Sequence, residues 1–570
     1  MASRRGLPKT QLGRPLAHGL SFCRQKRQCS LLPMKPLLAF VLSLSLLSVG
    51  SEAAASKPNV LLILADDLGF SDLGCYGGEI DTPNMDALAS NGLRFTQFYN
   101  TARCWPSRAA LLTGYYAQQV RRDAIPGLAG GGKGIRPVWA PLATELLNEA
   151  GYRSYHSGKW HIDGEPLANG FARSLEIGGK AESNYFKSAS NKEDGVPAPQ
   201  TGQYYATTAI AEHAVRTLQE HARLHAEKPF FHYLAFTAPH FPLQAPAEDI
   251  AKYKDKYRRG WNVLAQERHA RLMQAGIVHH ALPAMETEVG PPYSFPEQVS
   301  KLGPNEVNRP VPWADLSEAQ REFQAEKMAV HAAMVDRMDQ EIGRVLAQLK
   351  AMGAFENTLV LFASDNGASA EMMVRGSGHD PAAPMGSSAS FVCLGPGWSS
   401  AANTPMRRHK TWVHEGGIST PFIAHWPAGI KARGELRHRP GHLVDVLPTL
   451  LELSGSARPA TIRGATVPPA PGRSFAGVFA KDDPVLPGYL WWQHENHRAI
   501  RVGDWKLVAL KGGEWELYDL SMDRGESNNL ASAQPERVRA LSALWEKQSL
   551  ENTSMALSDR PARPRELGLK

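Results

Sequence analysis

The sequence predicts an α/β fold: a large, mainly parallel sheet sandwiched by helices, with a smaller C-terminal α+β subdomain carrying an antiparallel sheet. Continuous apolar runs recur along the chain, helical patterns lie between them, and short strand-like runs follow a proline-rich stretch near the C-terminus. Apolar runs without alternation are typical of strands buried on both faces. Strands that alternate with helices are typical of a parallel sheet.

Three apolar runs are the predicted central strands, and polar residues follow each of them. They cover residues 59–64, 230–236 and 359–363, and a shorter strand is predicted at 152–155. In an open α/β sheet, ligands bind at the carboxyl ends of the strands. We therefore expect the polar residues after these strands to share one site.

Helical periodicity separates the strands. The predicted helices cover residues 85–90, 142–150, about 207–223 and 328–352, and glycine closes the first two. The long segment 376–404 is rich in Gly, Ser, Ala and Pro and has no period, which predicts a loop that walls or covers the site.

Short strands and one helix are predicted in the C-terminal region. Strands are predicted within 498–510 and at 515–520, and a closing helix at 535–548. The predicted divisions are a leader (1–55), a main domain (56–456), a linker (457–474), a subdomain (475–550) and a tail (551–570).

The first 55 residues are predicted to be a leader that is removed on export. Met34, the predicted true start, opens a positive start, an apolar run at 37–49 and small residues at 53–55, as in a signal peptide. The apolar run is too short, and wrongly flanked, for a stable membrane span. We therefore expect a periplasmic or secreted protein, or a lysosomal or extracellular one in a eukaryote.

The leader also accounts for the charge of the chain. It carries eight Lys or Arg and one acid, so it holds the whole net charge of +7 and leaves the remainder neutral. A nucleic-acid partner, which a basic protein would favour, therefore loses its support.

Three cysteines lie outside the leader: Cys75, Cys104 and Cys393. Three thiols do not make a disulfide framework, although a Cys75–Cys393 bridge is open to an exported protein. Cys104 lies in a polar motif of an exported chain, which calls for a chemical explanation.

The motif is Cys-Trp-Pro-Ser-Arg, residues 104–108, followed by an apolar run at 109–112. Pro106 is predicted to take the first helical position, with Cys104 just ahead of the helix. A helix start presents unpaired N–H groups and a positive dipole end, which suit an anion. The alternative is a buried structural cysteine beside a helix start.

Oxygen ligands follow two of the strands. Asp66 and Asp67 end the first, and Asp365 and Asn366 end the 359–363 strand. Carboxylate and amide oxygens suit Ca²⁺ or Mg²⁺ better than zinc. The alternative is two ordinary turns, which Asp-Asp and Asp-Asn-Gly also favour.

Basic residues lie near the same strand ends. A lone Lys or His is ordinarily solvated or part of the core, so each is weak by itself. His156 and His414 are interpreted as structural. The candidate residues are Lys159, His161, His240 and Lys410.

The chain resembles the sulfatase family, whose signature Cys-x-Pro-Ser-Arg is matched at 104–108 and whose downstream Leu-Thr-Gly is matched at 112–114. The likeness runs from about residue 59 to about residue 545. The resemblance implies that a dedicated maturation enzyme oxidises Cys104 to formylglycine. It also implies a bound Ca²⁺, with Mg²⁺ less favoured, whose ligands are Asp66, Asp67, Asp365, Asn366 and the modified Cys104.

The resemblance further implies a route for hydrolysis of sulfate monoesters. One hydroxyl of the hydrated aldehyde attacks sulfur with Asp365 as its base, and the second hydroxyl later loses its proton to His161. His240, with Lys410, protonates the leaving oxygen. The remaining implied residues, which hold the hydrate and the sulfate oxygens, are Arg108 and Lys159.

Two other functions stay open at this point. A phosphomonoester, phosphodiester or phosphonate hydrolase of the same superfamily shares the sheet and the Asp clusters. A catalytically silent binder of sulfated glycans would result if Cys104 is never modified. The substrate is expected to be an aryl or carbohydrate sulfate, in a pocket shaped in part by 242–322 with Tyr253, Tyr257 and Trp261.

Overall fold

The computed structural model describes residues 57–125, 134–178, 184–199, 202–376, 378–486 and 488–558. The predicted leader, residues 1–55, and residues 559–570 of the predicted tail lie outside these described ranges.

The described strands form one large sheet, one four-stranded sheet and one two-stranded ribbon. In chain order they are β1 (Asn59–Asp66), β2 (Leu93–Tyr99), β3 (Arg153–Gly158), β4 (Arg173–Glu176), β5 (Lys192–Glu193), β6 (Val196–Pro197), β7 (Phe230–Pro239), β8 (Thr358–Ser364), β9 (Ser419–His425), β10 (Glu435–Arg437), β11 (Gly441–His442), β12 (Thr461–Ile462), β13 (Ala465–Thr466), β14 (Tyr489–His494), β15 (His497–Val502), β16 (Trp505–Ala509) and β17 (Glu516–Asp519).

The described helices pack on both faces of the large sheet and against the smaller one. In chain order they are α1 (Pro83–Ser90), α2 (Cys104–Thr113), α3 (Ala143–Glu149), α4 (Ala206–Leu224), α5 (Ala247–Tyr253), α6 (Gly260–Gln274), α7 (Pro296–Ser300), α8 (Glu318–Ala351), α9 (Gly395–Ala402), α10 (Glu415–Ile418), α11 (Val446–Leu453), α12 (Ala476–Ala480) and α13 (Pro535–Ala556). Among them, none combines the length and the apolar character that a bilayer span requires.

The large sheet is mainly parallel, which confirms the predicted fold class. Its strands lie in the order β10-β2-β9-β8-β1-β7-β3-β4-β5-β6, with β11 beside β2. β8, β1, β7 and β3 are parallel neighbours, and β9 runs antiparallel to both β8 and β2. β2 therefore points the same way as β8, β1, β7 and β3, so these five strands end at one edge.

The central strands are apolar on both faces because helices cover both. Leu61 and Ile63 of β1 belong to a core with α1, α4 and α8, whereas Val60, Leu62 and Leu64 belong to a second core with α2, α3 and α11. This arrangement accounts for the unbroken apolar run that predicted β1.

The C-terminal part of the chain carries the predicted antiparallel sheet, β14-β15-β16-β17. Its first strand, β14, was not among the predicted elements. Closing helix α13 also continues past residue 548 to Ala556, and the predicted linker contains the β12–β13 ribbon.

Two other predictions from sequence were wrong. The segment 376–404 is not one irregular loop, because it contains α9, whose Trp398 is fully buried. Tyr253, Tyr257 and Trp261 are 2% exposed or less and belong to the core rather than to a pocket rim.

The Cys75–Cys393 bridge, which the sequence left open, is not formed. Cys75 and Cys393 are free thiols, and the Cys393 Sγ instead lies 3.4 Å from the carbonyl oxygen of Met373.

Candidate active site

The candidate residues from distant parts of the sequence meet at the carboxyl edge of the large sheet. β1 ends in Asp66, β8 is followed directly by Asp365, β7 by His240 and β3 by Lys159. Because these four strands are parallel neighbours, their ends converge without any long excursion of the chain. Cys104 reaches the same edge from the loop after β2.

Helix α2 begins at Cys104 rather than at Pro106, so the predicted helix start was two residues late. Arg103 caps the helix in an extended conformation, and Cys104 is the first helical residue. Ser107 holds the segment that precedes the helix, because its Oγ accepts a hydrogen bond from the Thr101 N–H at 3.0 Å. Pro106 still falls within the first turn, where its missing N–H leaves no bond unmade.

Three oxygen atoms at this edge are buried and have no hydrogen-bond partner among the described residues. They are Asp66 Oδ1, Asp365 Oδ1 and Asn366 Oδ1. Buried polar atoms are nearly always paired, so three orphaned oxygens from predicted ligands fit a site built for a hard cation. The Nδ2 of Asn366 donates to Asp67 Oδ1 at 2.7 Å, which turns its own Oδ1 away from that carboxylate.

A second grouping of ligand atoms includes a histidine. Atoms of Asp66, Asp67 and His240 lie within 4.8 Å of one another, an arrangement that can also hold a metal ion. Both groupings contain Asp66. The predicted ligand set adds Asp365 and Asn366 to the Asp66–Asp67 pair, whereas this one adds His240.

Each of the three carboxylates contacts a cation. Lys159 Nζ bonds to Asp66, and Lys410 Nζ lies 2.7 Å from Asp67 Oδ1. Arg108 donates through Nε and Nη2 to Asp365 Oδ2 at 2.9 and 2.7 Å. Arg108 is fully buried and is not among the residues that line the cavity.

The pKa values of two of these carboxylates are shifted in opposite directions. Burial, together with the nearby Asp66, raises the pKa of Asp365 to about 7. Burial also acts to raise the pKa of Asp66, but Lys159, His240 and Arg108 outweigh it and hold that pKa well below its usual range. Asp365 is thus the carboxylate with the greater proton affinity.

Both candidate histidines are neutral at pH 7. Burial, with Lys410, lowers the pKa of His240 to about 4 despite the nearby Asp67. Burial, with Lys159 and Arg108, lowers the pKa of His161 well below its usual value. The His240 Nδ1 lies 2.6 Å from the Phe241 carbonyl oxygen, which assigns the proton to Nδ1 and leaves Nε2, 3.8 Å from Asp67, as the free nitrogen.

The site opens into a cavity of about 720 Å³. Cys104 lies in its lining and is 3% exposed. The same lining contains Lys159, His161, His240 and Lys410, so these predicted residues share one chamber.

Sequence reasoning missed other residues of this cavity. Glu371 is buried and accepts from Arg103 at 3.0 Å and Lys410 at 3.0 Å. Arg103 also lies over the ring of Trp105, with 5.2 Å to its centroid. The only available signal was position, since Arg103 and Trp105 flank Cys104 and Glu371 follows the Asp365 cluster closely.

The two histidines interpreted as structural are buried away from the chamber lining. His156 bonds to Ser174 Oγ at 3.0 Å, and burial lowers its pKa to about 3. His414 precedes α10 and lies 3.6 Å from Glu516.

Family models and related sequences match most of this chain. A family model described as Sulfatase matches residues 58–456, and one described as N-sulphoglucosamine sulphohydrolase, C-terminal, matches residues 408–553. The chain is 33% identical over 545 residues to an uncharacterized sulfatase of Schizosaccharomyces pombe, covering 88% of this chain and 94% of that one. It is 30% identical over 476 residues to an arylsulfatase of Klebsiella aerogenes, covering 78% and 97%.

A solved structure with the same fold carries the name of another kind of hydrolase. A phosphonate monoester hydrolase of Silicibacter pomeroyi superposes with a TM-score of 0.56 at 20% identity, over 88% of this chain and 97% of that one. At this identity the likeness concerns the fold alone. The family match, in contrast, spans most of the sequence, and on that basis the chain belongs to the sulfatase family and is a sulfuric ester hydrolase.

Proposed function

We propose that the chain hydrolyses sulfate monoesters of aryl or carbohydrate alcohols, with formylglycine made from Cys104 and a bound Ca²⁺. The observation that carries the proposal is that Cys104 lies in one chamber with fixed cations, beside three orphaned buried oxygens. Burial raises the pKa of the Cys104 thiol, so an unmodified thiol would be protonated and poorly nucleophilic. Conversion to an aldehyde replaces the thiol, so the nucleophile is a hydroxyl of the aldehyde hydrate.

The proposed cation ligands are Asp66, Asp67, Asp365, Asn366 and the modified residue 104. We prefer this set to the one with His240, because Ca²⁺ favours oxygen and the orphaned atoms are oxygens. When bound, the cation supplies Lewis-acid polarisation of the reacting oxygens. Mg²⁺ is the less favoured occupant.

The hydrated aldehyde supplies a hydroxyl that attacks sulfur and a second hydroxyl that permits later release of sulfate. Asp365 is the proposed base for the first hydroxyl, and Arg108 holds its carboxylate in place through two hydrogen bonds. Neutral His161, whose buried Nδ1 has no hydrogen-bond partner within the described part of the chain, is the proposed acceptor of the second proton. Lys159 is the proposed contact to the sulfate oxygens.

The leaving oxygen requires a proton, which His240 and Lys410 are proposed to deliver together. Burial opposes the charge on Lys410, but Asp67 and Glu371 outweigh it and raise the pKa of Lys410 above its usual value. Lys410 therefore stays protonated at pH 7, whereas His240 is neutral in the free site. Binding of a sulfate ester places negative charge beside His240 and favours its protonated form.

The replacement His240→Gln tests this role. We expect kcat/KM for an alkyl or sugar sulfate to fall about 10²–10⁴-fold, because these alkoxides need protonation as they leave. For 4-nitrophenyl sulfate the fall should be much smaller, since nitrophenolate leaves unaided. Steady-state rates on both esters measure the difference. An equal fall on the two would contradict an acid role for His240.

The main rival is hydrolysis of a phosphate or phosphonate ester by the same fold. Initial rates on 4-nitrophenyl sulfate, 4-nitrophenyl phosphate and 4-nitrophenyl phenylphosphonate discriminate directly, because the three esters share one leaving group. We expect the sulfate ester to be hydrolysed with the highest kcat/KM. Faster turnover of either phosphorus ester would assign the rival function.

A silent binder of sulfated glycans is the second rival. It is tested by mass spectrometry of the peptide that contains Cys104, because conversion of the thiol to the aldehyde lowers the peptide mass. An unmodified thiol in protein purified from its natural host would favour the binder. The proposal includes a formylglycine-generating maturation enzyme as a partner, and export of the chain to reach its substrate.

A further inference from the structure

An unpaired cation lies on the side of the cavity next to the proposed proton donor. The His240 and Phe241 rings are neighbours, with centroids 4.2 Å apart. The Arg375 guanidinium lies over the Phe241 ring, 5.2 Å from its centroid. Arg375 is exposed and lines the cavity, and its side chain forms no hydrogen bond or ion pair with any residue in the described ranges.

The positive charge on this side is not balanced. Arg103, Arg375 and Lys410, here called the cationic wall, line the same cavity. Glu371 is the acid of the lining that pairs with this wall, and Arg103 and Lys410 already occupy its two oxygens. Lys410 is shared with Asp67 of the catalytic edge. Arg375 is therefore the member whose charge remains available to a ligand.

Another part of the lining has the opposite sign. Glu165 and Glu176 belong to it, and Lys192, whose Nζ lies 3.2 Å from Glu165, acts electrostatically on both carboxylates. A second anionic group on the substrate would be repelled there and attracted to the cationic wall. The cavity thus has a polarity that orients a charged leaving group.

We propose that Arg375 selects sulfate monoesters whose alcohol part carries a second oxyanion, either a carboxylate or a further sulfate. The inference rests on the proposed function, because His240 fixes where the leaving oxygen departs. The Phe241 ring separates Arg375 from His240 and therefore from the leaving oxygen. An anion that binds Arg375 must then belong to the alcohol part of the ester and not to the sulfate group that reacts. Guanidinium binds both kinds of oxyanion through paired N–H donors.

The test compares three esters of similar leaving ability: 3-(hydroxymethyl)phenyl sulfate, 3-carboxyphenyl sulfate and benzene-1,3-diyl disulfate. We expect the wild-type chain to prefer at least one anionic ester to the neutral one. In Arg375→Gln the ratio of kcat/KM, anionic over neutral, should fall about five- to tenfold, and the fall should shrink as salt screens the charge. Arg223→Gln is the matched control.

Arg223 is an exposed arginine near the end of α4, at the opposite edge of the sheet, so its removal should leave both rates unchanged. A fall in the carboxylate arm alone assigns a carboxylate, and a fall in the disulfate arm alone assigns a further sulfate. An unchanged ratio in both arms of Arg375→Gln, with the neutral ester hydrolysed, overturns the inference only. Failure of the wild-type chain to hydrolyse any of the three esters overturns the proposed function, and the inference with it.

Discussion

Cys104→Ala is expected to abolish sulfate release, with a loss in kcat of more than about 10⁴-fold. The alanine side chain cannot be oxidised to an aldehyde, so the site loses its nucleophile while its cations and oxygens stay in place. Because Cys104 is 3% exposed and small, the substitution removes one sulfur atom from the lining and should leave the fold intact. Sulfate release and thermal unfolding of the purified variant measure the two effects separately.

Cys104→Ser gives the sharper diagnosis. Its single hydroxyl can accept the SO₃ group, but it lacks the second hydroxyl whose deprotonation would expel sulfate. We expect one equivalent of alcohol to be released and the chain then to stall with added sulfate mass on residue 104. Intact mass and burst amplitude report this directly.

A control cysteine lies outside the chamber. Cys75 is partly buried beside α1 and is a free thiol, so Cys75→Ala should retain full turnover. Full turnover by Cys104→Ala would contradict the assignment of residue 104 as the source of the nucleophile, independently of the result for Cys104→Ser.

The architecture of the site was predictable from sequence because parallel strands deliver their ends to one edge. Asp66, Asp365 and His240 each follow a recognisable apolar run, and Lys159 follows the shorter strand predicted at 152–155. Because parallel strands end at one edge of a sheet, these four residues are expected to meet there. One of the strands that escaped prediction is of another kind. β14 (Tyr489–His494) carries two tryptophans and pairs only in an antiparallel sheet, where packing against neighbours decides the structure.

Contacts over long sequence separations could not be predicted. Glu371 and Arg103 are 268 residues apart, and no periodicity links them. The depth of a side chain could not be predicted either: Arg108, expected to hold the hydrate and sulfate oxygens, is fully buried and donates to Asp365, and its expected role stays a prediction. Conversely, Tyr253 and Trp261 were expected at a rim and lie in the core, because helices α5 and α6 turn those faces inward.

Calcium is expected to stabilise the folded chain as well as to support turnover, and chelation to reverse both effects. Lys159, Lys410 and Arg108 already contact the three carboxylates, but three proposed ligand oxygens stay buried and unpaired among the described residues, which is unfavourable until a cation binds them. At a Ca²⁺ concentration of about 100 times Kd, the stabilisation is about 2.7 kcal/mol. For a unit of about 500 residues this corresponds to a rise in Tm of roughly 2–3 °C.

The variant that isolates this effect is Asn366→Ala. It removes one orphaned oxygen without changing the charge, whereas Asp365→Ala would strand the buried Arg108. We expect the Ca²⁺ concentration needed for half of the Tm rise to increase more than about tenfold, because one ligand oxygen is lost. Scanning fluorimetry with EDTA, Ca²⁺ or Mg²⁺ provides the measurement.

Asn148→Ala separates metal binding from ordinary loss of stability. Asn148 is also a hydrogen-bonded asparagine, donating to the Gly170 carbonyl at 2.7 Å and accepting from Ser154 at 2.6 Å, but it lies on α3. Its removal should lower Tm while preserving the Ca²⁺-dependent rise. If Asn366→Ala and the wild-type chain respond identically to Ca²⁺, then Asn366 is not a ligand. If neither responds, and EDTA leaves turnover intact, the orphaned oxygens serve some purpose other than holding a cation.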